Sequence, residues 1–331
     1  MSRDLCSLRC AMPLLLNAML TVGLGVLSQT AFAASPFLLP EQFDIDPRTT
    51  RIAIQSGIAG DNFFVSNRNF KTDYQIQSPD GASQILPAAA ALTKFNVIEA
   101  EISQSGTYRI QTTNTAPLPT RYALIDGQWL RIMTPRPNAD KPADKQPTDK
   151  AGADKAGGEK DHHDHNAGAD KAPDGVKAAA PAKPVTMIRA EQLPPDAKIS
   201  ISNTLNTALT YVTKGAPTPL AAFSNKGFEV RPLTHPSEAY ATDGFRFAVR
   251  YDGKPVSGLS FSVARGASSY DKDAKRERPA VVTDAQGIAK VDFDQAGVYL
   301  IGTTYPAANP DRSVQPPAEV VSFGLTIEVA P

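Results

Sequence analysis

Cysteine is almost missing from this 331-residue chain, and the little there is lies near the N-terminus. Cys6 and Cys10 both fall within residues 1–33, a stretch that we expect to be removed during secretion. The rest of the chain then carries no thiol, which excludes a disulfide framework, a thiolate metal site and a cysteine nucleophile. Burial of apolar side chains must therefore stabilise the folded part.

The common catalytic motifs are missing as well. The sequence holds no Gly-x-Ser-x-Gly elbow, no His-Glu-x-x-His pair and no glycine-rich phosphate loop. A Ser-His-Asp triad would have to use His235, the one histidine outside a single short tract, and no pattern around it supports such a triad. We therefore expect a protein that is not an enzyme and that uses no organic cofactor.

Neither sign of charge is in excess. The chain has 34 basic and 34 acidic residues, and its basic residues are scattered along the sequence. No basic run is interleaved with aromatic residues, which is the pattern that nucleic-acid surfaces show. The composition therefore excludes a nucleic-acid partner.

The first 33 residues have the three parts of a secretory signal peptide. Residues 1–10 include two arginines, residues 11–26 are mostly apolar, and residues 31–33 read Ala-Phe-Ala, which signal peptidase accepts. We expect cleavage after Ala33 and a periplasmic mature protein. A retained membrane anchor is the alternative, but the apolar stretch is short for a spanning helix, so we expect no stable membrane insertion.

Most of the remaining sequence is typical of short β-strands. Apolar residues alternate with polar ones, as in Phe245, Phe247, Val249 and Tyr251, and turn sequences such as Asp126-Gly127 separate the strands. No long amphipathic helix is predicted. The spacing predicts an all-β protein of two immunoglobulin-like β-sandwich domains, the first at residues 34–225 and the second at residues 226–331.

One segment interrupts the strand pattern. Residues 135–184 consist mainly of Ala, Asp, Lys, Pro and Gly, with no aromatic residue and with Val176 as the one large aliphatic side chain. Such a segment cannot offset the entropy of ordering its backbone, so we predict a disordered insert within the first domain. Its repeated Asp-Lys pairs favour a soluble, extended loop.

The middle of this insert carries the candidate metal site. Asp161, His162, His163, Asp164 and His165 are consecutive, and imidazole and carboxylate groups suit nickel, cobalt, copper and zinc. The alternative is a solvated loop whose histidines are incidental. His235 precedes a proline at the end of a predicted strand, where a structural role in the turn competes with a ligand role.

Several segments outside the insert resemble one known family. They include the Gly-Lys-Pro turn at 253–255 and the Asp-x-x-Gly turn at 284–287, and the full set is 35–40, 227–236, 243–247, 251–258, 283–287 and 296–301. Together they resemble the DUF4198 family, secreted bacterial proteins often connected with nickel or cobalt uptake in the periplasm. Members often have a histidine just before the aromatic-Leu-Pro element, whereas residues 33–40 here contain none.

The resemblance and the insert together lead to one expected function. We expect a periplasmic, non-enzymatic protein that binds nickel, cobalt, copper or zinc in support of metal uptake or buffering. Its partner would then be an outer-membrane receptor or a metal permease. The alternative is an envelope adhesion or interaction module that binds protein or polysaccharide, since sandwich domains serve many functions.

Overall fold

The computed structural model describes residues 35–60, 66–133, 186–266 and 277–331. Within these ranges the chain forms β-strands and two short 3₁₀ turns, Ala190–Gln192 and Pro236–Glu238. The predicted all-β class is therefore confirmed. No helix in the same ranges has the length and hydropathy needed to cross a membrane.

Eleven strands precede residue 134. They are β1 (Pro36–Pro40), β2 (Asp44–Ile45), β3 (Arg51–Ala59), β4 (Ser66–Arg68), β5 (Asp73–Gln77), β6 (Ser83–Leu86), β7 (Ala90–Ala91), β8 (Phe95–Glu101), β9 (Gly106–Thr113), β10 (Leu118–Ile125) and β11 (Gln128–Met133). The others are β12 (Met187–Arg189), β13 (Lys198–Lys214), β14 (Phe228–Pro232), β15 (Phe245–Tyr251), β16 (Lys254–Pro255), β17 (Ser260–Arg265), β18 (Glu277–Val282), β19 (Ile288–Val291), β20 (Gly297–Tyr305) and β21 (Glu319–Val329).

The strands form three sheets. A five-stranded sheet has the order β1-β3-β8-β7, with β4 paired to β3, and a four-stranded sheet holds β14, β15, β16 and β19. The third sheet has twelve strands, eight of them in the order β12-β11-β10-β13-β21-β20-β17-β18. Strands β2 and β9 join it through β13, and β9 carries β5 and β6. This large sheet faces each of the two smaller ones across a hydrophobic core.

Strand β13 is the centre of the large sheet. It is 17 residues long, and its first half pairs with β10 while its last four residues pair with β9. Along its other edge it runs parallel to β21. Strand β13 therefore links strands from both halves of the chain in one sheet.

The first core lies between the five-stranded sheet and the β5-β9-β13 part of the large sheet. Alternation along each strand places one set of side chains inside, as with Tyr74 and Ile76 in β5 and with Tyr108 and Ile110 in β9. The buried members are Leu38, Ile45, Ile52, Ile54, Tyr74, Ile76, Leu86, Ile98, Ala100, Ile102, Tyr108, Ile110, Ala208 and Val212. This core covers one face of the β5-β9-β13 part of the large sheet, and Arg109 of β9 projects from the other face.

The second core lies between the four-stranded sheet and strands β17, β20 and β21. Phe245, Phe247 and Val249 of β15 point into it and are fully buried, as the alternation predicts, whereas Tyr251 at the strand end stays partly exposed. The rings of Phe247 and Phe261 meet edge to face, with centroids 4.9 Å apart. Leu209 and Tyr211 of β13 also belong to this core. The predicted division at residues 225 and 226 stays a prediction, and β13 contributes to the cores on both sides of it.

Candidate functional site

The predicted metal ligands lie outside the described residues, but the strands that flank the insert are described. Strand β11 ends at Met133 and β12 begins at Met187, and the two strands are paired in parallel with Arg131 opposite Met187. Strand β12 is at an edge of the large sheet. The insert that carries residues 161–165 therefore begins and ends next to the same edge of the large sheet.

His235 has a structural role. Its Nδ1 accepts a hydrogen bond from the backbone N–H of Ser237, 3.3 Å away, and so caps the second 3₁₀ turn. The Nε2 atom then carries the proton and lies 3.1 Å from the Thr218 carbonyl oxygen and 3.2 Å from the Thr107 hydroxyl. Both ring nitrogens are engaged, so the structural interpretation of His235 is confirmed and the ligand role is not supported.

The described ranges contain no group of three or more His, Cys, Asp or Glu side chains arranged to hold a metal ion. A cleft of about 660 Å³ in the same part of the chain has carboxylates in its lining at Asp44, Glu238 and Glu328. Partial desolvation, reinforced by the Asp44 carboxylate, raises the pKa of Glu328 above its ordinary value. The cleft thus holds acidic groups that repel one another, with no imidazole among its lining residues.

We expect Glu328→Gln to stabilise the protein at neutral pH. Because the folded-state pKa of Glu328 is raised, the carboxyl favours folding when protonated, and that contribution is lost as pH rises through the folded pKa. Thermal unfolding from pH 3 to pH 8 should show no difference between variant and wild type at the acid end and a higher Tm for the variant above it. A gain in Tm that is largest at pH 3 would contradict this assignment.

A second cleft, about 530 Å³ in volume, lies beside the return point of the insert. Thr186 lines it together with Thr120, Tyr122, Ser202 and Thr204. Trp129 is in its wall and is only 5% exposed. The cleft therefore offers hydroxyl groups and one accessible aromatic ring, without a metal-ligating set.

A row of three side chains, called here the polar row, crosses strands β5, β9 and β13. Arg109 of β9 lies directly opposite Gln77 of β5 on one side and Tyr211 of β13 on the other. Directly opposed residues project from the same face of a sheet, so these three side chains are neighbours on the face that points away from the first core. Burial raises the pKa of the Tyr211 hydroxyl, and the Arg109 guanidinium opposes that shift, so the hydroxyl stays protonated at neutral pH.

A linker, residues 215–227 between β13 and β14, runs across this face and is fastened to it. The backbone N–H of Thr107 donates to the Thr218 hydroxyl at 3.0 Å, and the N–H of Thr218 donates to the Thr107 hydroxyl at 3.2 Å. The His235 ring contacts both residues, as described above. Arg231 donates from Nε to the Ala221 carbonyl at 2.8 Å. These bonds fix the linker over the row.

Between the row and the linker lies a cavity of about 110 Å³, called here the Arg109 cavity. It is lined by the row, by the Ser78–Pro79 turn with Gly81, by Thr107, and by Pro219, Leu220 and Ala221 of the linker. Sequence reasoning missed it. The available signal was the polar alternation of Thr107, Arg109 and Gln111 between buried Tyr108 and Ile110, but the partners of that face come from distant parts of the chain.

Comparison with solved structures gives weak likenesses. One is to Escherichia coli alpha-2-macroglobulin activated by porcine elastase, at 8% identity and a TM-score of 0.20, covering 90% of this chain and 31% of that one. Another is to the chicken CNTN1 FN1-FN3 domains, at 10% identity and a TM-score of 0.19, covering 90% of this chain and 99% of that one. Scores this low carry no argument about function.

Comparison of the sequence with known proteins and families gives a match to a family. No curated protein matches the chain. A family described as a domain of unknown function (DUF4198) matches residues 31–307, most of the sequence, and so confirms the predicted resemblance. The chain belongs to the DUF4198 family.

Proposed function

We propose that this protein is a periplasmic, non-enzymatic binder of divalent transition metals in support of metal uptake or buffering. The observation that carries the proposal is the run Asp161, His162, His163, Asp164 and His165, which puts three imidazoles and two carboxylates on five consecutive residues. Neutral imidazole nitrogens are good ligands for nickel, cobalt, copper and zinc, and carboxylate oxygens complete the coordination.

The binding properties follow from the chemistry of this run. A chain segment that is not ordered beforehand loses entropy for every ligand that it fixes on the metal, so affinity is modest. Among divalent ions the affinity follows the Irving–Williams order, which favours copper. Protons compete for the imidazoles, so binding weakens as pH falls below about 6.5, the ordinary pKa of histidine.

The scaffold is consistent with such a collecting loop. The two strands that flank the insert, β11 and β12, are paired at the edge of the large sheet, and β12 contributes to neither of the two cores. The histidine in the described part, His235, is held by its own hydrogen bonds. A loop of this kind would pass its metal to a partner in the envelope, for which we propose an outer-membrane receptor or a metal permease.

The test is isothermal titration of the purified protein with Ni²⁺, Co²⁺, Cu²⁺ and Zn²⁺. Wild type should bind at least one of these ions, and copper most tightly, whereas the triple variant with His162, His163 and His165 replaced by alanine should lose binding. His235→Gln is the matched control, because it removes the fourth histidine and should leave the titration unchanged. Equal binding by wild type and triple variant would remove the run from the proposal.

A second candidate is an envelope-interaction module that binds polysaccharide or protein. The hydroxyl-lined cleft at Tyr122, Thr120 and Ser202 favours it, because sugar hydroxyls pair well with Ser and Thr side chains beside an aromatic ring. Co-purification of an envelope component in the presence of a metal chelator would favour this second candidate over metal binding.

A further inference from the structure

The Arg109 cavity has the charge that an anion requires. Its lining includes one guanidinium, Arg109, and no carboxylate. Within the described ranges no Asp or Glu forms a salt bridge with Arg109. The carboxylate of Asp80, in the adjoining turn, is occupied with Gln104 and the backbone N–H of Ala82. Among the described residues, no acidic side chain therefore neutralises the positive charge of Arg109.

The Arg109 guanidinium is only partly satisfied by hydrogen bonds to the protein. The Nε atom of Arg109 is buried and has no hydrogen-bond partner among the described residues. A buried polar group without a partner is costly, and such groups in folded proteins call for an explanation. Tyr211 is 5% exposed, and its hydroxyl oxygen accepts a hydrogen bond from the same guanidinium, which leaves the hydroxyl proton to be donated. Arg231 adds a second positive charge from the linker side, where it binds backbone carbonyls.

The donors are held rigidly. Arg109 and Tyr211 stand on paired strands, the Gln77 amide beside them donates to the Gly81 carbonyl at 3.4 Å, and the linker that closes the cavity is fixed by the Thr107–Thr218 hydrogen bonds. A site whose donors are already in place loses little entropy when a ligand binds. Exposed Gly81 and Pro219 lie on the lining, so the cavity is reached from solvent.

We propose that the Arg109 cavity binds one oxyanion group, a carboxylate or a phosphate. Arg109 is half-buried and its Nε atom is fully enclosed, so its two outer nitrogens, Nη1 and Nη2, donate to oxygens of the group, and the Tyr211 hydroxyl donates to one of the same oxygens. The cavity, at about 110 Å³, has room for roughly three water molecules at ~30 Å³ each, and so for a single terminal group rather than a whole metabolite. This site is separate from the proposed metal-binding run and does not depend on it.

Thermal unfolding in sodium acetate and in sodium phosphate tests the proposal, with sodium chloride at equal ionic strength as the reference. The two salts distinguish a carboxylate site from a phosphate site. A ligand that binds the folded state raises Tm with concentration, by about 3 °C at ten times Kd. Wild type should show this rise with at least one of the two salts. A rise no larger than that in chloride would overturn the proposal.

Variants locate the site. Arg109→Gln should abolish the rise in Tm, and Tyr211→Phe, which keeps the ring in the core, should weaken the apparent Kd roughly three- to tenfold by removing one donor. Arg131→Gln, at an exposed arginine on β11, is the matched control and should keep the full rise. Should Arg109→Gln fail to fold, Tyr211→Phe decides. An unchanged Kd in Tyr211→Phe, or a full rise in Arg109→Gln, would contradict the assignment.

Discussion

Gly324→Ala is expected to lower the free energy of unfolding by about 3–5 kcal/mol. Gly324 of β21 lies opposite Gly302 of β20, and together they leave a gap in the sheet surface that the start of β1 occupies. A methyl group at Gly324 would overlap the backbone carbonyl of Pro36, so β1 would have to move. Phe37 and Leu38 are fully buried there, and losing the burial of each costs about 1.5–3 kcal/mol. Urea denaturation measures the change.

Two further glycine variants make this expectation specific. Gly302→Ala would bring its methyl to 2.5 Å from the Ser35 side chain, which can rotate away, so it should cost less than Gly324→Ala. Gly127 has φ of +73° and nothing within 4 Å of an added methyl, so Gly127→Ala should cost only the backbone strain, about 1 kcal/mol. If all three variants lose the same stability, close packing of β1 on the glycine pair is not the cause.

The strands were largely predictable because their alternation is local. Phe245, Phe247 and Val249 face one core as the pattern predicts, and the Asp284 side chain accepts from the backbone N–H groups of Gln286 and Ile288, as a turn residue does. Strand β13 shows the limit. Residues 202–207 are mostly polar, so the apolar–polar alternation of residues 198–201 and 208–213 is interrupted between them. The structure has one strand, since those residues pair with β10 and β21.

The candidate sites also differ in whether the sequence alone could predict them. The metal run was found because its ligands are consecutive, and it stays a prediction. The Arg109 cavity could not be found, because Gln77, Arg109 and Tyr211 become neighbours only through the register of three strands. Nothing in a single sequence states that register. His235 was predictable as a turn residue, but its contact with Thr107, 128 positions away, was not.

Replacing residues 136–183 with a ten-residue Gly/Ser linker is expected to abolish metal binding while the sandwiches stay folded. Strand β12 runs parallel to β11 at about 4.8 Å from it, and β12 begins at Met187, opposite Arg131. From the end of β11 at Met133, the linker must therefore reach back along the strand by the length of about two residues. A ten-residue flexible linker spans about 17 Å, which is sufficient. The sequence predicts that this loop is disordered, and shortening such a loop from about 50 to about 14 residues lowers the entropy cost of closing it, so stability should rise by about 1 kcal/mol. Titration calorimetry and thermal unfolding measure the two effects.

The same linker with Asp-His-His-Asp-His at its centre separates the ligands from the rest of the insert. Imidazoles and carboxylates at this spacing carry all of the proposed coordination, so this variant should bind the same ions as wild type, with a comparable Kd. Metal binding that survives in the plain linker variant would place the ligands outside residues 136–183. Failure of the pentapeptide to restore binding would mean that other groups of the insert, such as its repeated Asp side chains, complete the coordination. In that case the five consecutive residues would not be sufficient as a metal site.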